Sequence, residues 1–98
     1  MYDDRESLEA AARSSVAALA DNARTFEGTV AFERILIQLD LILGDGAPAL
    51  ANRAAVAQRR LFAQAEAAIS DLADHGLDAL QAALLHNMLR AAWETDTR

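Results

Sequence analysis

The stretch Thr29-Val30-Ala31-Phe32-Glu33-Arg34-Ile35-Leu36-Ile37-Gln38-Leu39-Asp40-Leu41-Ile42-Leu43-Gly44 decides the fold. It shows helical spacing and no sustained strand alternation. At about 100° per residue, Phe32, Ile35, Leu36, Leu39, Ile42 and Leu43 share one face. Val30, Ile37 and Leu41 fall nearly opposite, with Glu33 and Asp40 on one flank and Arg34 and Gln38 on the other. Thr29 suits an N-cap, and Gly44 follows the last apolar residue as a C-terminal glycine should. The spacing therefore predicts a helix over 29–43 that is apolar on two sides. Such a helix is central in its bundle or touches something outside it.

The same periodicity extends in both directions. Gly28, Gly44, Gly46 with Pro48, and Gly76 divide the chain into four segments. A first helix is expected over 4–24, capped by Asp3 with Glu6 or by Ser7, with a thin buried stripe of Leu8, Ala12, Ser15, Val16, Leu19 and Ala23. A third is expected over 48–73, after the turn Gly44-Asp45-Gly46-Ala47 and with Pro48 in its first turn. Its stripe is Leu50, Ala54, Ala57, Leu61, Ala65, Ala68 and Leu72. Ala51, Ala55, Phe62 and Ile69 form a shoulder, while Arg53, Arg59, Arg60 and Asp71 point away. A fourth is expected over 77–94, with a main stripe of Leu77, Leu80, Leu84, Met88 and Ala91. Its second stripe is Ala82, Leu85, Leu89 and Trp93, and the last residues, 95–98, should fray. Four helices joined by short turns predict an all-α, antiparallel up-down-up-down four-helix bundle, a single domain over 1–98.

Composition narrows the function. The chain has 98 residues and a formal charge of −6, from 15 acidic and 9 basic side chains. An acidic balance argues against nucleic acid and against an anionic membrane surface. No apolar run approaches the roughly 20 residues that span a bilayer, and the charged start Met1-Tyr2-Asp3-Asp4-Arg5-Glu6 lacks the apolar core of a secretory signal. A cytoplasmic protein is the expectation. All basic residues are arginine and there is no cysteine, which excludes Schiff-base lysines, thiolate catalysis and cysteine-ligated zinc. About a quarter of the residues are alanine, so the core is lean. Modest stability is expected of the lone monomer, rising when a partner or second copy covers an apolar face.

No residue pattern announces chemistry. His75 sits in the turn Asp74-His75-Gly76, and His86 has Ala82, Ala83, Leu89 and Arg90 at helical spacings, so neither gathers metal ligands on its own helix. Asp40 is flanked by leucines but reads as a solvated edge residue, and Asp45 as a capping acid. Arg59 and Arg60 point about 100° apart and form no single basic patch. All-helical chorismate mutases are similar in size, yet their dianion site uses a lysine that this chain lacks. The expectation is no catalytic, metal or cofactor-binding residue.

The second apolar stripes are the functional signal. The first helix has little to cover them, and exposed apolar patches of this kind mark partner sites. Val30, Ile37, Leu41, Phe62, Ile69, Leu85, Leu89 and Trp93 are the expected contacts for a segment laid in a groove.

The order of residues carries a resemblance. Ala31-Phe32-Glu33-Arg34-Ile35, then Leu39, then Arg59-Arg60-Leu61, then the ending Leu89-Arg90-Ala91-Ala92-Trp93-Glu94 look like the bacterial flagellar secretion chaperone FliS family. Tyr2 matches the family's N-terminal tyrosine. The chain is shorter than typical members, and Ala55-Val56-Ala57-Gln58 stands where a tyrosine-containing motif is usual. The resemblance implies a cytosolic export chaperone, a short and divergent one. Its client would be the disordered C-terminal segment of flagellin or a related flagellar protein, bound in apolar grooves. The competing expectations are a homodimeric helical adaptor or regulator of a secretion system and, more remotely, a small all-helical enzyme.

Overall fold

A computed structural model describes residues 4–44 and 57–97. They form four helices, α1 (Asp4–Asp21), α2 (Phe26–Leu43), α3 (Gln58–Asp74) and α4 (Ala79–Thr97), with no strand among the described residues. The all-α bundle is as the periodicity predicts.

The helix ends follow local chemistry. Thr25, in extended backbone, caps α2, its Oγ1 accepting from the Gly28 N–H at 2.9 Å. The cap thus lies four residues before the one expected at Thr29, and the helix takes Gly28 into its first turn. Thr29 instead donates its hydroxyl to the Thr25 carbonyl at 3.2 Å. At the other end Gly44 takes a positive φ of 77° and donates to the Asp40 carbonyl, as a C-terminal glycine does. Asp78 caps α4, its Oδ2 accepting from the N–H groups of Leu80 and Gln81 at 3.0 and 3.3 Å. The expected turn 44–47 beyond Gly44, the helix start at Pro48, and Leu50, Ala51, Arg53, Ala54 and Ala55 lie outside the described residues.

Each helix packs against two others: α1 against α2 and α3, and α4 against α2 and α3. The remaining pairs, α1 with α4 and α2 with α3, sit on the diagonals. Tertiary hydrogen bonds set the directions. Arg5 reaches the His75 carbonyl and Gln58 the Leu19 carbonyl, so α1 and α3 are antiparallel. Thr29 of α2 reaches Ala20 of α1, and Asp96 at the end of α4 meets the start of α2. Every neighbouring pair is therefore antiparallel. The order along the chain, however, is up-down-down-up: α2 ends at one end of the bundle and α3 begins at the other. Alternation along the chain presumes a short α2–α3 turn, and here 13 residues separate Gly44 from Gln58.

One cluster of buried side chains runs through the bundle. Val16 and Leu19 come from α1, Phe32, Ile35 and Leu39 from α2, Leu61, Ile69 and Leu72 from α3, and Leu85 and Leu89 from α4. The α1 and α2 faces are those the spacing picks out. On α4 the second stripe takes the inward place, while Leu77 of the main stripe, ahead of the helix, is buried as expected. Ala82, Leu85, Leu89 and Ala92 are buried while Leu80 and Leu84 are exposed. The buried set has spacings of three and four and continues to Asp96, which is buried as well. Residues 95–97, part of the stretch expected to fray, are helical, and the carboxylate of Asp96 is held by the α1–α2 turn.

Candidate functional site

The expected contact residues divide into three groups. Ile37 and Leu41 stand on the outer face of α2, 60% and 75% exposed, with Val30 half-buried on the same side. Phe62 and Trp93 are half-buried and pack ring against ring, centroids 4.9 Å apart, joining α3 to α4. Ile69, Leu85 and Leu89 are wholly buried. Those three are core residues and meet no outside partner. On α3 the main stripe Leu61, Ala65, Ala68 and Leu72 packs on the bundle as expected and is joined by Ile69 of the shoulder, and on α4 the second stripe does so.

The inward place of the second stripe on α4 creates a different face. Leu80 and Leu84 are 81% and 43% exposed. His86 and Trp93 contact α3, so by helical angle Leu84 and Met88 lie toward α2. Depth along the bundle follows from the place where Gly28 meets Asp96. Leu41 lies thirteen residues, roughly 20 Å, down α2 from that point, and Leu84 twelve residues, roughly 18 Å, back along α4. Leu41, Leu84 and Leu80 thus gather at one end of the α2–α4 face, while Ile37, nearer by helical angle to Asp40 and so to Arg13 of α1, stands at its far edge. At the opposite end, exposed Phe26 borders a shallow depression with Val30, Ala31, Arg34 and Thr95. The sequence pattern finds the α2 half of this face and misses the α4 half.

A second arrangement is hidden from local spacing. His86 Nδ1 lies 3.4 Å from Glu66 Oε2, and its Nε2 lies 3.4 Å from Ser70 Oγ. The order carboxylate, imidazole, hydroxyl is that of an activated nucleophile. Both partners come from α3, one turn apart, which is why a search along His86's own helix finds nothing. The arrangement lacks what acyl transfer needs next. Ser70 is in the interior of α3, where backbone N–H groups are spent on the helix ladder and none can bind an oxyanion. The contacts are long, and water reaches all three groups. The geometry supports a surface polar cluster joining α3 to α4.

The other titratable residues have structural partners. Arg13 is buried on α1 and reaches across to Asp40 Oδ1 at 3.3 Å and to the Gly44 carbonyl at 2.7 Å. His75 Nδ1 contacts the Asp71 carbonyl at 2.8 Å. Among the described residues no three His, Asp or Glu side chains converge on a metal-sized point. Asp45 lies outside the described residues. No helix of the described residues is long and apolar enough to cross a membrane.

No protein-family model matches the chain, and neither a curated protein nor a solved structure does.

Proposed function

We propose that this chain is a binding protein, an export chaperone of the flagellar type that shields an apolar helical segment of its client on the α2–α4 face. One observation carries the reading: Ile37, Leu41, Leu80 and Leu84, four large aliphatic side chains, stand in water on two neighbouring helices. A bundle this lean in large apolar residues gains nothing internally by leaving them out, whereas a partner that buries them recovers about 25 cal/mol for each Å² covered.

The mechanism is burial, with no reaction. A segment that is disordered alone lies along α2 and α4 and becomes helical, its apolar positions seated between the two stripes. Ordering it takes about 2–5 kcal/mol from the gross interaction energy, so binding is reversible and the client can be handed on. The resemblance at Ala31-Phe32-Glu33-Arg34-Ile35 and Leu89-Arg90-Ala91-Ala92-Trp93-Glu94 makes the C-terminal segment of flagellin, or of a related flagellar protein, the client, and the cytoplasm the setting. Of the residues in the ending, Leu89 and Ala92 serve the core, while Arg90, Ala91 and Glu94 are exposed.

The test is titration of the chain with a flagellin C-terminal peptide, read by helical circular dichroism and by sedimentation. A gain in helix on mixing, lost in Leu84→Asp, supports the reading. A peptide that stays disordered and unbound removes flagellin as client. A tight dimer that excludes added peptide replaces the chaperone with a homodimeric adaptor built on the same face.

A further inference from the structure

We propose that the segment received by the α2–α4 face is an amphipathic helix with one acidic residue in the middle of its apolar stripe, seated on Arg34. The inference rests on the client-binding reading above and adds the chemistry that the client presents. By helical angle, the α4 wall of the groove is Leu84, Met88, Ala91 and Thr95, which follow one another at spacings of four, three and four and carry no charge. Arg90 and Glu94 point elsewhere, Arg90 toward the side where His86 and Trp93 contact α3. The α2 wall is Glu27, Ala31, Arg34, Gln38 and Leu41, and its upper part meets Thr95 of α4 around the depression beside Phe26. Glu33 and Asp40 stand on the opposite flank of α2, where Asp40 meets Arg13 of α1. Arg34 is thus the one cation of the groove among the described residues.

No described residue neutralises that cation. The Arg34 side chain is exposed and makes no ion pair or hydrogen bond with the described residues. It stands in mid-groove. Arg34 lies six residues, roughly 9 Å, down α2 from the contact of Gly28 with Asp96, and Ala91 five residues, roughly 7.5 Å, back along α4. A methyl group therefore faces the guanidinium across the groove and leaves room beside it. Val30 and Phe26 stand one and two turns to one side of Arg34, and Leu41 two turns to the other, with Leu84 and Leu80 across from it. A terminal carboxylate on Arg34 would leave one of these apolar ends uncovered, whereas a side-chain carboxylate lets apolar residues run on in both directions. The guanidinium fork takes a carboxylate through two parallel hydrogen bonds, and apolar neighbours on either side thin the water that would screen them.

A second copy of the chain fits less well. Glu27 is the one acid of the groove among the described residues, and pairing it reciprocally with Arg34 of another copy puts the twofold axis between Val30 and Ala31. A parallel pairing would set Arg34 against itself. With the axis there, Leu41 projects past Phe26, where α2 of the other copy begins. Such a dimer neutralises Arg34 and leaves Leu41, Leu80 and Leu84 uncovered.

Three synthetic helical peptides decide the matter. Each carries leucine four and seven residues to either side of a central position that holds glutamate, glutamine or lysine. Fluorescence anisotropy with the full chain should show the glutamate peptide binding at least about fivefold more tightly than the glutamine peptide, and the lysine peptide most weakly. The net charge of −6 repels an acidic peptide at long range, so this order reads a local contact. Arg34→Gln should abolish the difference between glutamate and glutamine, and Arg34→Glu should favour lysine. The helical circular dichroism should stay unchanged in both, because the position is exposed. Arg90→Gln, on the side of α4 away from the groove, should leave the order as it is. The peptide series on the unaltered chain reads the same inference independently of the variants. Equal binding of the three peptides, tighter binding of the lysine peptide, or a glutamate preference that survives Arg34→Gln overturns this inference and leaves the client-binding reading standing. Binding of none of them, or a dimer that occludes the face, overturns both.

Discussion

Gly28 lies against the side chain of Asp96: a Cβ built on Gly28 would stand within 2.6 Å of the Asp96 Cβ and Cγ. The start of α2 and the end of α4 meet at this point because the glycine has no side chain. Asp96 Oδ1 then accepts from the N–H groups of Arg24 and Thr25, each at 2.8 Å, and from the Thr25 hydroxyl at 3.1 Å. Thr25 in turn caps α2. One buried carboxylate thereby ties the last turn of the chain to its first interhelical turn, near a helix N-terminus that favours negative charge.

Gly28→Ala should destabilise the fold even though alanine is the better helix former. Propensity alone favours the alanine by about 0.5–1 kcal/mol, but two side chains cannot occupy the same space, and overpacking costs about 1–3 kcal/mol. A lowered thermal midpoint is expected. In an Asp96→Gly background, which removes the Asp96 Cβ as well, the same substitution should be neutral or stabilising, and a double-mutant cycle measures that coupling. Additive effects would mean the two residues do not meet.

Asp96→Ala should cost more than Asp96→Asn. The alanine leaves the Arg24 and Thr25 N–H groups without their acceptor, at about 1–3 kcal/mol, whereas asparagine keeps an oxygen in place and loses only the charge assistance. Deletion of residues 95–98 should match the alanine variant in urea unfolding. A harmless deletion would return this segment to the frayed end that its position in the sequence suggests.

Leu89→Asp and Leu84→Asp should part company. Leu89 is wholly buried. Truncation alone at such a site costs about 2–5 kcal/mol, and an unpaired carboxylate adds to that, so loss of the helical spectrum at room temperature is expected. Leu84→Asp, on the open face, should keep the spectrum and lose the client. If Leu84→Asp also unfolds the chain, the face belongs to the fold rather than to a partner.

Arg13 should matter more than its ion-pair partner. Asp40 is mostly solvated, and exposed pairs contribute about 0–1 kcal/mol. Asp40→Asn should therefore shift stability little. Arg13→Ala also removes the donor to the Gly44 carbonyl, and hydrogen exchange at the C-terminal turn of α2 should quicken. Lysine does not restore the guanidinium fork, so Arg13→Lys should resemble the alanine variant at this turn.

Ser70 should resist a fluorophosphonate probe. The imidazole contact can polarise its hydroxyl, but the helix interior supplies no oxyanion donors. Labelling of Ser70 that Glu66→Gln abolishes would turn the polar cluster into a catalytic one.

Sequence alone determined what helical periodicity and end chemistry encode. Four helices, the inward face of α2 at Phe32, Ile35 and Leu39, its outward Ile37 and Leu41, and the stop at Gly44 are local properties, readable within a few turns. Tertiary structure decided what periodicity leaves degenerate. On α4 two leucine stripes are nearly equal in apolar content, and only contact with both α2 and α3 selects Leu85 and Leu89 for burial. The burial of Asp96 depends on donors 71 and 72 positions away, and the meeting of Glu66, Ser70 and His86 depends on two different helices. A one-dimensional pattern records how a helix is striped; which stripe faces inward is a property of its neighbours.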